Sequence, residues 1–215
     1  MLVVGGNDIH GNSNPFTWLY NLTTRSWQRA VDYSGKANPG TVAAYDPATQ
    51  NVFVANSATF GLWAYNPATN LWTSYGAKPL VDYHMTAAID PVDHLLVAIG
   101  SGHIQSYSLS GGATGASSMP GARGDLSAQN GNAPGFVWDS AANLFTAWNG
   151  GSTLYTLDPH AWRWTARAAA SDNKVTPPAP QNNGTFGRFQ YDPSHSCFIV
   201  VNDINQDVYI YKPNF

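Results

Sequence analysis

The sequence is poor in charge, in cysteine and in long apolar runs, and each shortage excludes a class of protein. Charged residues make up 11% of the chain and the ten lysines and arginines are scattered, which excludes a basic surface for nucleic acid. Cys197 is the single cysteine, which excludes an intrachain disulfide and a multi-cysteine metal site. No stretch approaches about 18 consecutive apolar residues, so we predict no membrane-spanning helix. The N-terminal Met-Leu-Val-Val-Gly-Gly lacks the features of a signal peptide, so we expect none.

What the sequence does contain is aromatic and β-branched residues separated by turn formers. Hydrophobic residues make up 43% of the 215 positions, with 8 tryptophans and 11 tyrosines alongside 20 glycines and 14 prolines. Sustained helical patterning is scarce. This composition predicts an all-β protein, and its length suits a single domain spanning residues 1–215.

Two kinds of turn repeat along the chain. The first lies between two strand-like apolar runs and begins, at intervals of 44 to 53 residues, with Asp46, Asp90, Asp139 and Asp192. An aspartate caps such a turn through its carboxylate, and a following proline presets the backbone. The second begins with Asn21, Asn66 and Asp158, each six residues before a tryptophan. These tryptophans are Trp27, Trp72 and Trp164, and their periodicity indicates packing between repeats.

One repeat therefore contains four short strands in about 45–50 residues, which is the period of a propeller blade. We predict a β-propeller with about five blade positions, in which three complete four-stranded blades are flanked by two three-stranded ones. The predicted repeats cover approximately residues 1–33, 40–76, 84–110, 134–167 and 186–215.

Glycines and aromatics in the repeats resemble those of a known propeller family. Gly5-Gly6, then Tyr20 and Trp27 resemble the kelch fingerprint, and Tyr65 with Trp72 repeats the spacing. The whole chain is similar to the C-terminal part of bacterial kelch-like or galactose-oxidase-like propellers. The resemblance implies an exported, extracellular or periplasmic protein, and it specifies fold rather than chemistry.

The long connections indicate where a functional site would lie. Successive turns of a meander alternate between two faces, so the tight turns gather on one face and the long connections on the other. The long connections contain His10, His84 and His103, which we predict as ligands of a divalent ion such as zinc. Asp8 is a further ligand or a general base. No organic cofactor is predicted.

Other polar residues on the same connections are candidates for binding. Arg188 aligns with the innermost strand, where it either clamps an anionic group during catalysis or pairs with Asp203. The remaining ligand-binding candidates, together with Asp203, are Tyr83, Asn149 and Asn205.

Three functions remain open at this point. The first is a metal-assisted hydrolase of phosphoester, lactone or carboxylic ester bonds. The second is a non-catalytic, extracellular glycan-binding module, and the third is a scaffold that binds another protein. A small molecule or glycan is thus the expected partner.

The terminal repeats also suggest an assembly. The first blade lacks its innermost strand and the last lacks its outermost one, so strand edges and apolar faces would be bare in an open arc. We expect either a closed five-bladed ring or a homodimer joined through the terminal blades, and favour the dimer.

Overall fold

A computed structural model describes residues 1–6, 8–34, 41–55, 61–76 and 83–213, and arranges them as five β-sheets, the blades of a propeller. Blade 1 contains β1 (Leu2–Val4), β2 (Thr17–Asn21) and β3 (Ser26–Arg29). Blade 2 contains β4 (Val42–Asp46), β5 (Asn51–Ala55), β6 (Leu62–Asn66) and β7 (Leu71–Ser74). Blade 3 contains β8 (Thr86–Asp90), β9 (Leu95–Gly100), β10 (His103–Ser108) and β11 (Ser117–Ser118).

The last two blades differ in size. Blade 4 contains β12 (Arg123–Gly124), β13 (Gly135–Asp139), β14 (Leu144–Trp148), β15 (Leu154–Asp158) and β16 (Arg163–Arg167). Blade 5 contains β17 (Phe189–Asp192), β18 (Cys197–Val200) and β19 (Tyr209–Tyr211). The prediction of an all-β propeller with three fuller blades between two three-stranded ones is confirmed.

Two details depart from the predicted repeats. The outermost strand of blade 3, β11, lies beyond residue 110, where that repeat was predicted to end. The short strand β12 adds parallel to the outer edge of blade 4, where Arg123 is paired with Arg163. Both strands come from the long connection between blades 3 and 4, which carries no repeat signal.

The repeated turns have a common construction. In blade 3, the Asp90 carboxylate accepts the backbone N–H groups of Val92 at 2.8 Å and Asp93 at 3.3 Å. The fourth residue after each turn-starting residue has a positive φ, for example 52° at His94. The same left-handed residue recurs at Arg25, Gln50, Asn70, Asn143, Trp162 and Ser196. This residue reverses the chain tightly enough for adjacent strands to pair directly.

Consecutive blades pack face to face, and the core lies between them. Each of four buried hydrophobic clusters joins one blade to the next, from blades 1 and 2 through blades 4 and 5. Trp148, for example, is fully buried at the end of β14 and packs with Phe189 and Val200 of blade 5. The alternation of strand residues thus places apolar side chains on both faces of a blade.

Helix is nearly absent from the described ranges. It consists there of two single 3-10 turns, Gly112–Thr114 and Phe186–Arg188. Within these ranges no helix has the length and apolar character needed to cross a bilayer.

A pair of substitutions at Asp90 tests how the turns are held. Burial raises the pKa of this carboxyl, so its hydrogen bonds rather than its charge should stabilise the turn. We expect Asp90→Ala to lower the free energy of unfolding by about 1–2 kcal/mol. Asp90→Asn, which keeps an acceptor oxygen, should change it by less than about 0.5 kcal/mol. Urea unfolding measures both, and equal losses in the two variants would contradict this account.

Candidate functional site

The long connections of blades 3, 4 and 5 are tied together by backbone hydrogen bonds. Ala133 N–H donates to the His84 carbonyl at 2.7 Å, and Thr185 N–H donates to the Ala133 carbonyl at 2.8 Å. Ser101 N–H donates to the Gly131 carbonyl at 2.8 Å. The segment 126–133 therefore bridges three connections and holds them close to one another.

The predicted metal ligands lie in different local settings. His84 is half-buried with its ring centroid 3.5 Å from that of Tyr83, whereas His10 and His103 are exposed. The Asp8 carboxylate accepts the backbone N–H groups of His10 at 2.8 Å and Asn12 at 2.9 Å. Its hydrogen bonds, that from the Asn12 backbone first, hold the pKa of Asp8 below its ordinary value.

Across the described residues, no group of three or more histidine, cysteine or acidic side chains could hold a metal ion. The metal site at His10, His84 and His103 remains a prediction, as does the hydrolase reaction that depends on it. A stoichiometric transition metal retained by the dialysed protein would support the prediction.

Other predicted residues form hydrogen bonds within or between the long connections. The Arg188 guanidinium donates to the carbonyl oxygens of Thr185, at 3.1 Å, and Gly184. Arg188 closes the 3-10 turn, and β17 begins one residue later. Its carbonyl accepts the Val201 N–H at 2.9 Å, which continues the pairing of β17 with β18, so Arg188 is aligned with the inner strand. Its role in catalysis remains a prediction. The Asp203 carboxylate accepts from Gln181 at 2.7 Å and from the backbone N–H of Asn205.

Asn149 also has a structural role. Its side-chain amide donates to the Ser127 carbonyl at 3.3 Å, and its side chain fills the space beside Gly131. Any Cβ at residue 131 would lie 2.4 Å from the Asn149 side-chain oxygen. Asn149 therefore holds the bridging segment 126–133 in place. Its role in ligand binding remains a prediction.

A cavity of about 690 Å³ lies between the innermost strands β4, β8, β13 and β17. This volume is within the range of small-molecule binding sites. Small side chains on β4 and β8 keep the space open. These are Ala43, Ala44, Ala87 and Ala88.

Aromatic side chains line the cavity where the inner strands enter the tight turns. Tyr45, Trp138 and Tyr191 each stand directly before a turn aspartate, and all three contribute to the wall. Trp138 and Tyr191 are half-buried against phenylalanines of the adjoining strands. Tyr45 is 56% exposed, and among the described residues blade 1 has no innermost strand to cover it.

The described residues of the cavity wall are polar or apolar, and none of them is ionised. Histidine, cysteine, lysine, arginine, aspartate and glutamate are all absent from the described residues that line it. The polar residues of the wall include Gln190, Thr41, Ser140, Tyr45 and Tyr191. Burial, followed by the nearby Asp139 charge, raises the pKa of Tyr191 above its ordinary value. Such a wall suits an uncharged ligand with both apolar and hydrogen-bonding surface.

Sequence analysis did not identify this cavity, although the sequence contained a signal for it. The residue before the turn aspartate is aromatic in three repeats, at Tyr45, Trp138 and Tyr191. An aromatic residue is also ordinary in a buried strand, so this pattern by itself does not distinguish a cavity wall from strand packing.

A serine, a histidine and an aspartate also meet in the first turn of blade 5. His195 Nδ1 lies 2.7 Å from the Asp192 carboxylate and 3.0 Å from the Ser194 hydroxyl. Catalytic relay needs the two imidazole nitrogens to face different partners, whereas here one nitrogen faces both. The cluster therefore stabilises the turn.

Several solved structures share the fold of this chain at low sequence identity. A nidogen/laminin complex aligns with a TM-score of 0.61 at 15% identity, covering 99% of this chain and 73% of that one. An auxiliary nutrient binding protein from Bacteroides ovatus aligns with a TM-score of 0.57 at 15% identity, covering 92% and 56%. A Bacteroides thetaiotaomicron protein of unknown function aligns with a TM-score of 0.62 at 14% identity, covering 92% and 53%.

The chain thus spans about half the length of the two bacterial structures. No family model and no curated protein matches it. Membership of the kelch-like or galactose-oxidase-like group remains a prediction.

The Asp192 cluster predicts a pH dependence of stability. The Ser194 hydroxyl, then His195, lowers the pKa of this carboxyl from 3.8 to about 2. The stabilisation is therefore present above the unfolded pKa and is lost as the pH falls from about 4 towards 2. We expect the stability difference between wild type and Asp192→Asn, measured by urea unfolding, to shrink over that window. A difference that stays constant from pH 5 to about pH 2 would be inconsistent with the lowered pKa.

Proposed function

We propose that this chain is a non-catalytic binding module whose central cavity holds an uncharged small molecule, with carbohydrate as the ligand class. The observation that carries the proposal is the cavity itself, which is walled by inner strands, lined by aromatics and free of ionised side chains among its described lining residues. Aromatic rings stack on the apolar faces of sugars, while hydroxyl and amide groups pair with sugar hydroxyls.

The structural neighbours support the same class of function. Auxiliary nutrient binding proteins from two Bacteroides species share the fold, and binding rather than chemistry is the role in their description. Because the identities are 15% and 13%, this support is by analogy of fold. We infer an extracellular or periplasmic location on the same basis.

Two tyrosines of equal exposure distinguish the cavity from the long connections. Tyr45 lines the cavity and Tyr83 lies beside His84 on a connection, and each is 56% exposed. The ligand is found first by screening neutral and acidic oligosaccharides on a glycan array. Titration calorimetry of the best neutral ligand should then show that Tyr45→Ala weakens binding about tenfold, because a stacking face is lost.

Tyr83→Ala is the matched control and should bind as the wild type does. The reverse pattern, with binding lost in Tyr83→Ala and retained in Tyr45→Ala, would place the site on the long connections. An array on which only acidic glycans bind would contradict the uncharged ligand.

A further inference from the structure

Each inner blade has two apolar faces, and both are covered by neighbours. We define the front face of a blade as the one towards the preceding blade and the rear face as the one towards the following blade. Val54, Trp63 and Trp72 on the front of blade 2 pack with Tyr33, which follows β3 of blade 1. Each of the four blade interfaces found among the described residues has this form, with a front face against a rear face.

The front face of blade 1 is an interface without a partner in the described chain. Val3 is 41% exposed. The residues at the same register position in the other blades are all 0% exposed, and they are Val54, Ala98, Ala147 and Val200. Trp27 corresponds to Trp164 and packs on Tyr20 as Trp72 packs on Tyr65. Trp27 is 52% exposed, whereas Trp164 is 1% exposed.

The rear face of blade 5 is the complementary surface. Ile210 corresponds in register to Ala64, Ser106 and Thr156, which are at most 4% exposed, whereas Ile210 is 69% exposed. Val201 and Val208 are exposed beside it. No buried cluster within the described ranges contains residues of both blade 1 and blade 5.

We propose that the front face of blade 1 binds the rear face of blade 5 of a second copy of this chain. The occupant follows from the interfaces already present, since each front face within the chain is covered by the rear face of another blade. The apolar side chains that would meet are Trp18, Trp27 and Val3 on one side, and Val201, Val208 and Ile210 on the other. Two such contacts about a two-fold axis cover all four bare faces of a pair.

The margin of the blade 1 face is compatible with this contact. The Arg29 guanidinium lies 3.9 Å above the Phe16 ring and 5.2 Å from the Trp18 ring. Its charge is paired with Asp32 at 2.6 Å. Arg29 therefore forms a polar rim whose charge is already paired with Asp32. Burial of the apolar centre would leave no unpaired charge at this margin.

Sedimentation of three double variants of the full chain tests the contact. Trp18→Ser with Trp27→Ser removes the front surface, and Val208→Ser with Ile210→Ser removes the rear surface. Leu71→Ser with Val92→Ser is the control, because both side chains are exposed elsewhere on the surface. We expect the wild type and the control to self-associate at micromolar concentration, and each face variant to associate at least about tenfold more weakly.

Mixing the two face variants distinguishes front-to-rear contact from contact between two identical faces. The front variant retains a rear face and the rear variant retains a front face, so the mixture should form one-to-one pairs. A monomeric wild type, or association lost in only one of the two face variants, would overturn the proposal. Circular dichroism checks that each variant keeps the wild-type fold.

Discussion

A blade in this protein cannot bury its apolar side chains by itself, and the whole arrangement depends on that constraint. Strand residues alternate between two faces, and in blades 2 to 4 both faces are apolar. Trp148 on the rear of blade 4 is fully buried because Phe189 and Val200 of blade 5 cover it. Stability is therefore shared between neighbouring blades, as in other repeat proteins.

The repeated turns align the inner strands of the stacked blades around a cavity. Each turn ends in a left-handed residue four positions after its first, so the strands of every blade reverse in the same way. The inner strands consequently come side by side around a common space, with the residue before each turn aspartate at its wall. Alanines on β4 and β8 leave that space open, and the aromatics Tyr45, Trp138 and Tyr191 line one end.

The long connections carry many polar side chains, and the structure uses several of them to hold the loops. Arg188 binds carbonyl oxygens of its own loop, and Asn149 supports the segment 126–133. Both residues looked like ligand-binding groups in the sequence, because a polar residue on a loop has the same appearance in either role. A buried backbone carbonyl needs a donor, and only the folded chain shows which carbonyls lie within reach of these side chains.

The sequence by itself determined the blade, because strand alternation, turn aspartates and spaced tryptophans are local properties that recur with a fixed period. It thereby determined the all-β propeller and its five blade positions. Tertiary structure decided which surfaces remain uncovered and which side chains meet. Trp27 and Trp164 occupy the same place in their repeats, yet one is exposed and the other buried. Burial depends on whether a neighbouring blade is present, and no property of a single repeat encodes that.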